Sequence, residues 1–142
     1  MKWTVLSDNR SCDDSLETEH GLSVLLETDH HRILMDTGAS DVFIRNAEVM
    51  GIDLSTVDYV FISHGHSDHA GGLQHFLRIN ERAKVIVSPH AISGKFFSKR
   101  WNLHSITTEW PALYRLCPQW LGEYPEGLSL SRKDHCRRLP SA

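Results

Sequence analysis

The chain has 142 residues, 15 Lys and Arg against 18 Asp and Glu, and a hydrophobic fraction of 40%. That length suits one domain with one core, and a net charge of −3 gives no electrostatic case for nucleic acid or an anionic membrane, so a small-molecule substrate is the expected partner. No run approaches the ~18 apolar residues of a membrane span, and Asp8 and Arg10 interrupt the N-terminus before a signal-peptide core can form, so the default address is cytoplasmic.

The opening "WTVLSD" reads as a first strand ended by the turn formers Ser7, Asp8 and Asn9. A polar loop carrying Asp13, Asp14, Glu17 and Glu19 follows. Then "GLSVLLET" (21–28) and "HRILMDTG" (31–38) flank Asp29 and His30, the pattern of an antiparallel hairpin. "SDVFIRNAEVMGID" (40–53) opens on a Ser-Asp cap, spaces Val42, Phe43, Ala47, Val49 and Met50 at helical intervals, and meets a stop at Gly51. "VDYVFISH" (57–64) alternates little, as expected of a strand buried on both faces. A helix over 69–80, with Leu73, Phe76 and Leu77 on one side, and a buried strand over 83–90 ended by Pro89 complete a βαβ unit.

Beyond about residue 98 the character changes. Residues 1–98 hold 8 Lys and Arg against 14 Asp and Glu, whereas 99–142 hold 7 against 4 and carry three of the four Trp and four of the five Pro. The division expected is a domain half over 1–110 and an irregular tail over 111–142, whose sequence past about residue 112 is read as foreign to the rest. Cys12, Cys117 and Cys136 are odd in number and irregular in spacing, which points to free thiols and not to a disulfide framework or a Cys-only zinc site.

The chemistry concentrates in "FISHGHSDHAGG" (61–72). His64, His66, Asp68 and His69 fall on a loop between a strand and a helix, where α/β proteins build their sites. Imidazole and carboxylate together suit Zn²⁺ or a comparable first-row ion. In extended backbone His64 and His66 point the same way, so they can grip one ion, while Asp68 and His69 face a second; Gly71 and Gly72 let the helix begin close by. A single histidine is more often structural, but four candidate ligands in six residues are not easily a coincidence. His90, just past a strand end, is the best of the later histidines and is read as structural.

The H-x-H-x-D-H run of residues 64–69 resembles the signature of the metallo-β-lactamase-fold hydrolases. "VLSDNRS", "LETEHGLSVLLET", "ILMDTGASDVFIRNAEVMGIDLSTVDYVFISHGHSDHAGGL" and "KVIVSPHA" look like the subgroup related to the archaeal dihydropterin ribofuranosyl-aminobenzene phosphate synthase. The resemblance covers about residues 2–110 and implies an α/β (α+β layered) fold, the N-terminal ββα-type half of an αββα sandwich. It assigns His64 and His66 to a first metal and Asp68 and His69 to a second, with Zn²⁺ as the expected cofactor, in one or two copies, and Fe or Mn as alternatives. Asp68 would also orient the nucleophile, making it the catalytic candidate, and Asp36 in "LMDTG" would brace the metal loop without binding metal. Asp8 and Asn9 match a polar loop near the family's site, although a plain turn explains them equally well.

The resemblance implies a metal-activated hydroxide acting on an ester, phosphoester or related bond. Complete members add a further His, a bridging Asp and a final His from a second half, and no later motif here resembles them. Three readings therefore stand: a metallo-hydrolase impaired by truncation, an inactive remnant with weak or no metal binding, and a metal-binding or interaction module that nothing beyond the histidines supports. Half a sandwich also implies an uncovered apolar sheet face, hence a homo-oligomer.

Overall fold

The computed structural model describes residues 1–93 and the short strands 97–98 and 104–105. In chain order the elements are β1 (Lys2–Ser7), β2 (Ser23–Glu27), β3 (Arg32–Met35), α1 (Val42–Val49), a 3₁₀ turn (Leu54–Thr56), β4 (Tyr59–Ile62), α2 (Ser67–Ala70), α3 (Leu73–Ile79), β5 (Lys84–Val87) and α4 (Pro89–Ser93). β6 (Phe97–Ser98) and β7 (His104–Ser105) pair with each other in a separate two-stranded sheet. The expected tail over 111–142 lies outside the described residues.

The main sheet has the order β1-β2-β3-β4-β5, antiparallel across the first three strands and parallel across the last three. The hairpin is as expected: Val24 pairs with Met35 and Glu27 with Arg32. After it the chain crosses twice, β3-α1-β4 and β4-α2-α3-β5, and each crossover returns a parallel strand, as a βαβ connection requires. Both parallel strands therefore end at the same edge, and the histidine run leaves from the end of β4.

One sheet face is the core side. Leu6, Leu25, Leu34, Val60, Ile62 and Val87 pack against Phe43 and Ala47 of α1 and Leu73, Phe76 and Leu77 of α3, all buried. Two buried amides join the layers without orphaned polar atoms: Asn46 Nδ2 donates to the carbonyls of Leu6 and Glu17, and Asn80 Nδ2 to those of Leu54, Ser55 and Val57.

The other face is apolar as well. In register across the strands run Trp3, Leu26, Ile33, Tyr59 and Lys84, then Val5, Val24, Met35, Phe61 and Ile86. Phe61 is 44% exposed, Met35 41%, Val5 52% and Trp3 72%. This corrects the reading of 57–64 as buried on both faces: β4 has an apolar residue at every position because both faces of the sheet are apolar, yet only one is covered among the described residues.

Helix boundaries also differ in places. Pro89 opens α4 instead of merely ending a strand, since a first-turn residue has no intrahelical use for an N–H. The helix expected over 69–80 is divided, with Gly71 and Gly72 between α2 and α3. α1 begins after Asp41, whose side chain makes no cap bond; Ser40 Oγ accepts from Val42 N instead, and Gly51 ends the helix at a φ of 68°. Among the described residues no helix is long and apolar enough to cross a membrane.

Candidate metal centre

The backbone leaves β4 at Ile62 and runs through Ser63 to Gly65 without regular structure, and Ser67–Ala70 then closes into one helical turn capped by His66. His64 and His66 thus lie on a loop as expected, whereas Asp68 and His69 sit on a short helix. All four side chains are partly buried.

Two neighbouring segments hold this turn. From the loop after β3, Thr37 donates its N–H to the His69 carbonyl at 2.7 Å, and Gly72 N donates to the Gly38 carbonyl. From the segment before β2, Leu22 N donates to the Asp68 carbonyl at 3.3 Å. The glycines make that approach possible. A Cβ on Gly72 would stand 2.1 Å from Thr37 O and 2.3 Å from Ser40 O, and one on Gly71 would stand 2.5 Å from Ala39 O. The reading of Gly71 and Gly72 as close-approach residues thus has a definite partner, the 37–40 loop.

Asp36 is the buried centre of the arrangement. Its Oδ1 accepts from Ser63 N at 2.8 Å, and its Oδ2 accepts from Ser63 Oγ at 2.7 Å and from His69 Nδ1 at 2.8 Å. It holds a φ of 54°, a left-handed conformation that Asp tolerates better than most residues. The Ser63 hydroxyl has one proton, given to Asp36, so its remaining bond to His64 Nδ1 at 2.8 Å is one it accepts. Both imidazoles therefore carry their proton on Nδ1 and keep the Nε2 lone pair for something else. A metal-ligating histidine is typically held this way.

The other distances agree with that purpose. The ring centroids of His64 lie 4.4 Å from those of His66 and 4.1 Å from those of His69. Asp68 Oδ2 is 3.7 Å from His69 Nε2, and Asp68 Oδ1 is 3.9 Å from His66 Nδ1. Burial, and then the neighbouring His69 and His66, hold the pKa of His64 below its ordinary value, which keeps the ring neutral and its lone pair available.

Asp36, His64 and His69 have ligand-type atoms within 4.8 Å of one another. Proximity alone would allow Asp36 to be a ligand, but both its oxygens already accept hydrogen bonds from Ser63 or His69, which suits the bracing role. Ser63, which joins Asp36 to His64, is a residue that sequence reasoning passed over; its signal was its position between a strand and the first histidine. Glu19 was passed over too. Its carboxylate accepts from Ser7 Oγ, Ala39 N and Ser40 Oγ and so fixes the 38–40 loop against which the motif packs. His90 lies exposed on α4.

Comparisons with known proteins bear on the family and the fold. The family model for the metallo-beta-lactamase superfamily matches residues 16–122. An uncharacterized protein of Methanocaldococcus jannaschii is 34% identical over 86 residues, covering 58% of this chain and 33% of its own length. The 7,8-dihydropterin-6-methyl-4-(beta-D-ribofuranosyl)-aminobenzene-5'-phosphate synthase of the same organism is 28% identical over 100 residues, covering 66% and 34% respectively. Among solved structures, Tm1679, a metal-dependent hydrolase of the beta-lactamase superfamily, superposes with a TM-score of 0.68 and 32% identity, covering 92% of this chain and 44% of that one. The chain thus spans about a third of the length of these curated relatives.

Proposed function

The chain belongs to the metallo-beta-lactamase superfamily, and on that premise we propose that it forms the metal-holding half of a metal-dependent hydrolase. His64 and His66 hold one ion, Asp68 and His69 a second, with zinc the cation this imidazole and carboxylate set suits best and iron or manganese the alternatives. The observation that carries this reading is the Ser63–Asp36 bracket, which fixes His64 and His69 as Nδ1–H tautomers and leaves both Nε2 atoms as donors of a lone pair.

When bound, such ions supply Lewis acidity and acidify water toward neutrality. The chain's own residues do the rest. The Asp68 carboxylate, next to His69 Nε2 and His66 Nδ1, would accept a hydrogen bond from the attacking water and orient it toward an ester, phosphoester or related centre. Asp36, buried beneath, keeps the imidazoles oriented and does not touch the substrate.

A second reading, a remnant with weak or no metal binding, draws on the donor set: among the described residues the ion on His64 and His66 has two protein ligands. Among the described residues nothing covers the apolar outer sheet face, and we propose that a second copy of the chain covers it. Elemental analysis of the purified chain after gel filtration separates the readings. Close to stoichiometric Zn, Fe or Mn supports the hydrolase; a metal-free protein that takes up none on titration leaves the remnant.

A further inference from the structure

We propose that His20 is a positioning residue for the Asp68 carboxylate, set in its donor tautomer by Asn9. The inference rests on the metal-site reading for its purpose, but its geometry stands independently. His20 lies in the polar segment before β2, and its Nε2 is 3.5 Å from Asp68 Oδ2, on that carboxylate oxygen which also faces His69 Nε2 at 3.7 Å.

The tautomer follows from a chain of hydrogen bonds. Gly21 N can only donate, and it lies 3.3 Å from Asn9 Oδ1, so the Asn9 amide is oriented with its oxygen toward Gly21. Its Nδ2 then points at His20 Nδ1, 3.2 Å away, and an amide nitrogen donates. His20 Nδ1 must therefore accept, which places the ring proton on Nε2, the atom that faces Asp68. This is the reverse of His64 and His69, whose Nδ1 atoms donate and whose Nε2 atoms carry a lone pair. His20 consequently presents an N–H to the carboxylate oxygen 3.5 Å away, and does not compete with it for a cation.

The backbone supports the same contact. Leu22 N donates to Asp68 O, and a Cβ on Gly21 would stand 2.6 Å from that oxygen, so residues 20–22 engage Asp68 through both its main chain and its side chain. Asn9 is in turn fixed at the end of β1, where its N–H bonds Asp8 Oδ1 and the Asp8 carbonyl accepts from Glu19 N. An N–H facing the Asp68 oxygen nearest His20 favours that orientation of the carboxylate and leaves its other lone pairs toward the histidine cluster, as outer-shell partners of metal ligands do.

Two measurements test this. The first is a long-range proton–nitrogen correlation spectrum of the metal-free chain, recorded about two units above the ordinary imidazole pKa of ~6.5, with His20 assigned by its loss in His20→Ala. The wild type is expected to show His20 protonated on Nε2 alone, and Asn9→Asp, which puts an acceptor opposite Nδ1, to move the proton to Nδ1. An Nδ1 proton in the wild type, or no change in Asn9→Asp, overturns the assignment. The second is zinc affinity by competition with a chromophoric chelator. Asn9→Asp and His20→Ala are expected to bind about tenfold more weakly, while His20→Gln, which keeps an N–H donor, stays within about threefold of wild type. Equal affinity in all four chains overturns the positioning role. A wild-type chain that takes up no zinc defeats the proposed function instead, and the tautomer spectra still decide the hydrogen-bond chain.

Discussion

Asp36 Oδ2 lies 2.8 Å from His69 Nδ1, and the residue that makes this contact is held at a positive φ of 54° in the loop after β3. Two separable properties thus meet at one position, a carboxylate that orients a ligand and a backbone conformation that most side chains resist. Asp36→Asn keeps the conformation, since Asn tolerates the left-handed region, but presents one acceptor oxygen where two are used. Asp36→Ala loses both. Zinc affinity is expected to fall about 10- to 100-fold in either variant, while urea denaturation should show Asp36→Ala less stable than Asp36→Asn by roughly 1–2 kcal/mol. Unchanged zinc binding in Asp36→Asn would remove the carboxylate from the site.

Gly72 and Gly51 predict opposite physical causes for the same substitution. At Gly51 a new Cβ meets no atom within 4 Å, so Gly51→Ala costs only the strain of a φ of 68°, about 1 kcal/mol. At Gly72 the space is closed by two backbone carbonyls, Thr37 O and Ser40 O, which cannot swing aside as a side chain would. Overpacking of that kind costs about 1–3 kcal/mol or more. Thermal melts should therefore rank Gly72→Ala below Gly51→Ala. Gly72→Ala should also weaken zinc binding, because the 37–40 loop it displaces carries the Thr37 bond to His69.

The sequence announces this site unevenly, and the reasons are physical. His64, His66, Asp68 and His69 were legible because they are close in sequence and follow an apolar run, so local geometry alone gathers them. The hairpin and the βαβ crossover from β4 to β5 were legible for the same reason, as patterns within one or two elements. Ser63, Glu19 and His20 were not, since their roles come from long-range contacts: Glu19 to Ser40 spans 21 residues and His20 to Asp68 spans 48. Nothing in a polar segment of acidic residues says which side chain faces inward. The apolar outer face misled for a related reason, because a strand apolar at every position reads as buried whether or not a second layer is present.

Arg45 gives the fold a modest dependence on acid. Its Nε lies 2.6 Å from Glu17 Oε1 and Nη2 2.8 Å from Glu17 Oε2, and Nη1 donates to Asp41. Hydrogen bonds from Arg45 hold both carboxyls below their ordinary values of 4.5 and 3.8. A carboxyl with a lowered folded pKa stabilises the fold fully above its unfolded value and loses that contribution as pH falls through the folded one. The groups are half exposed, so solvent and salt screen the effect and it should be small. Arg45→Met is expected to melt slightly below wild type at neutral pH, with the gap closing as pH falls below about 4 and on addition of ~1 M salt. A gap that widens in acid would contradict the sign.

The outer sheet face bears on how the chain exists in solution. Nine of its ten in-register side chains are apolar or aromatic, and the one charge, Lys84, stands at the β5 edge. Trp3, Val5, Met35 and Phe61 together expose on the order of 400 Å². With the partly exposed Val24, Leu26, Ile33, Tyr59 and Ile86 the face approaches the roughly 800 Å² that one partner of a stable complex buries. A surface with no charge pattern in its middle offers little to a charged partner but fits its own copy, two apolar sheets stacking about 10 Å apart. Gel filtration with light scattering should therefore give twice the mass of 16.2 kDa. Trp3→Glu with Phe61→Glu should give a monomer of unchanged fold, because both side chains already face outward and neither lies in the core cluster. A monomeric wild type would mean that the chain covers this face itself, and would overturn the dimer.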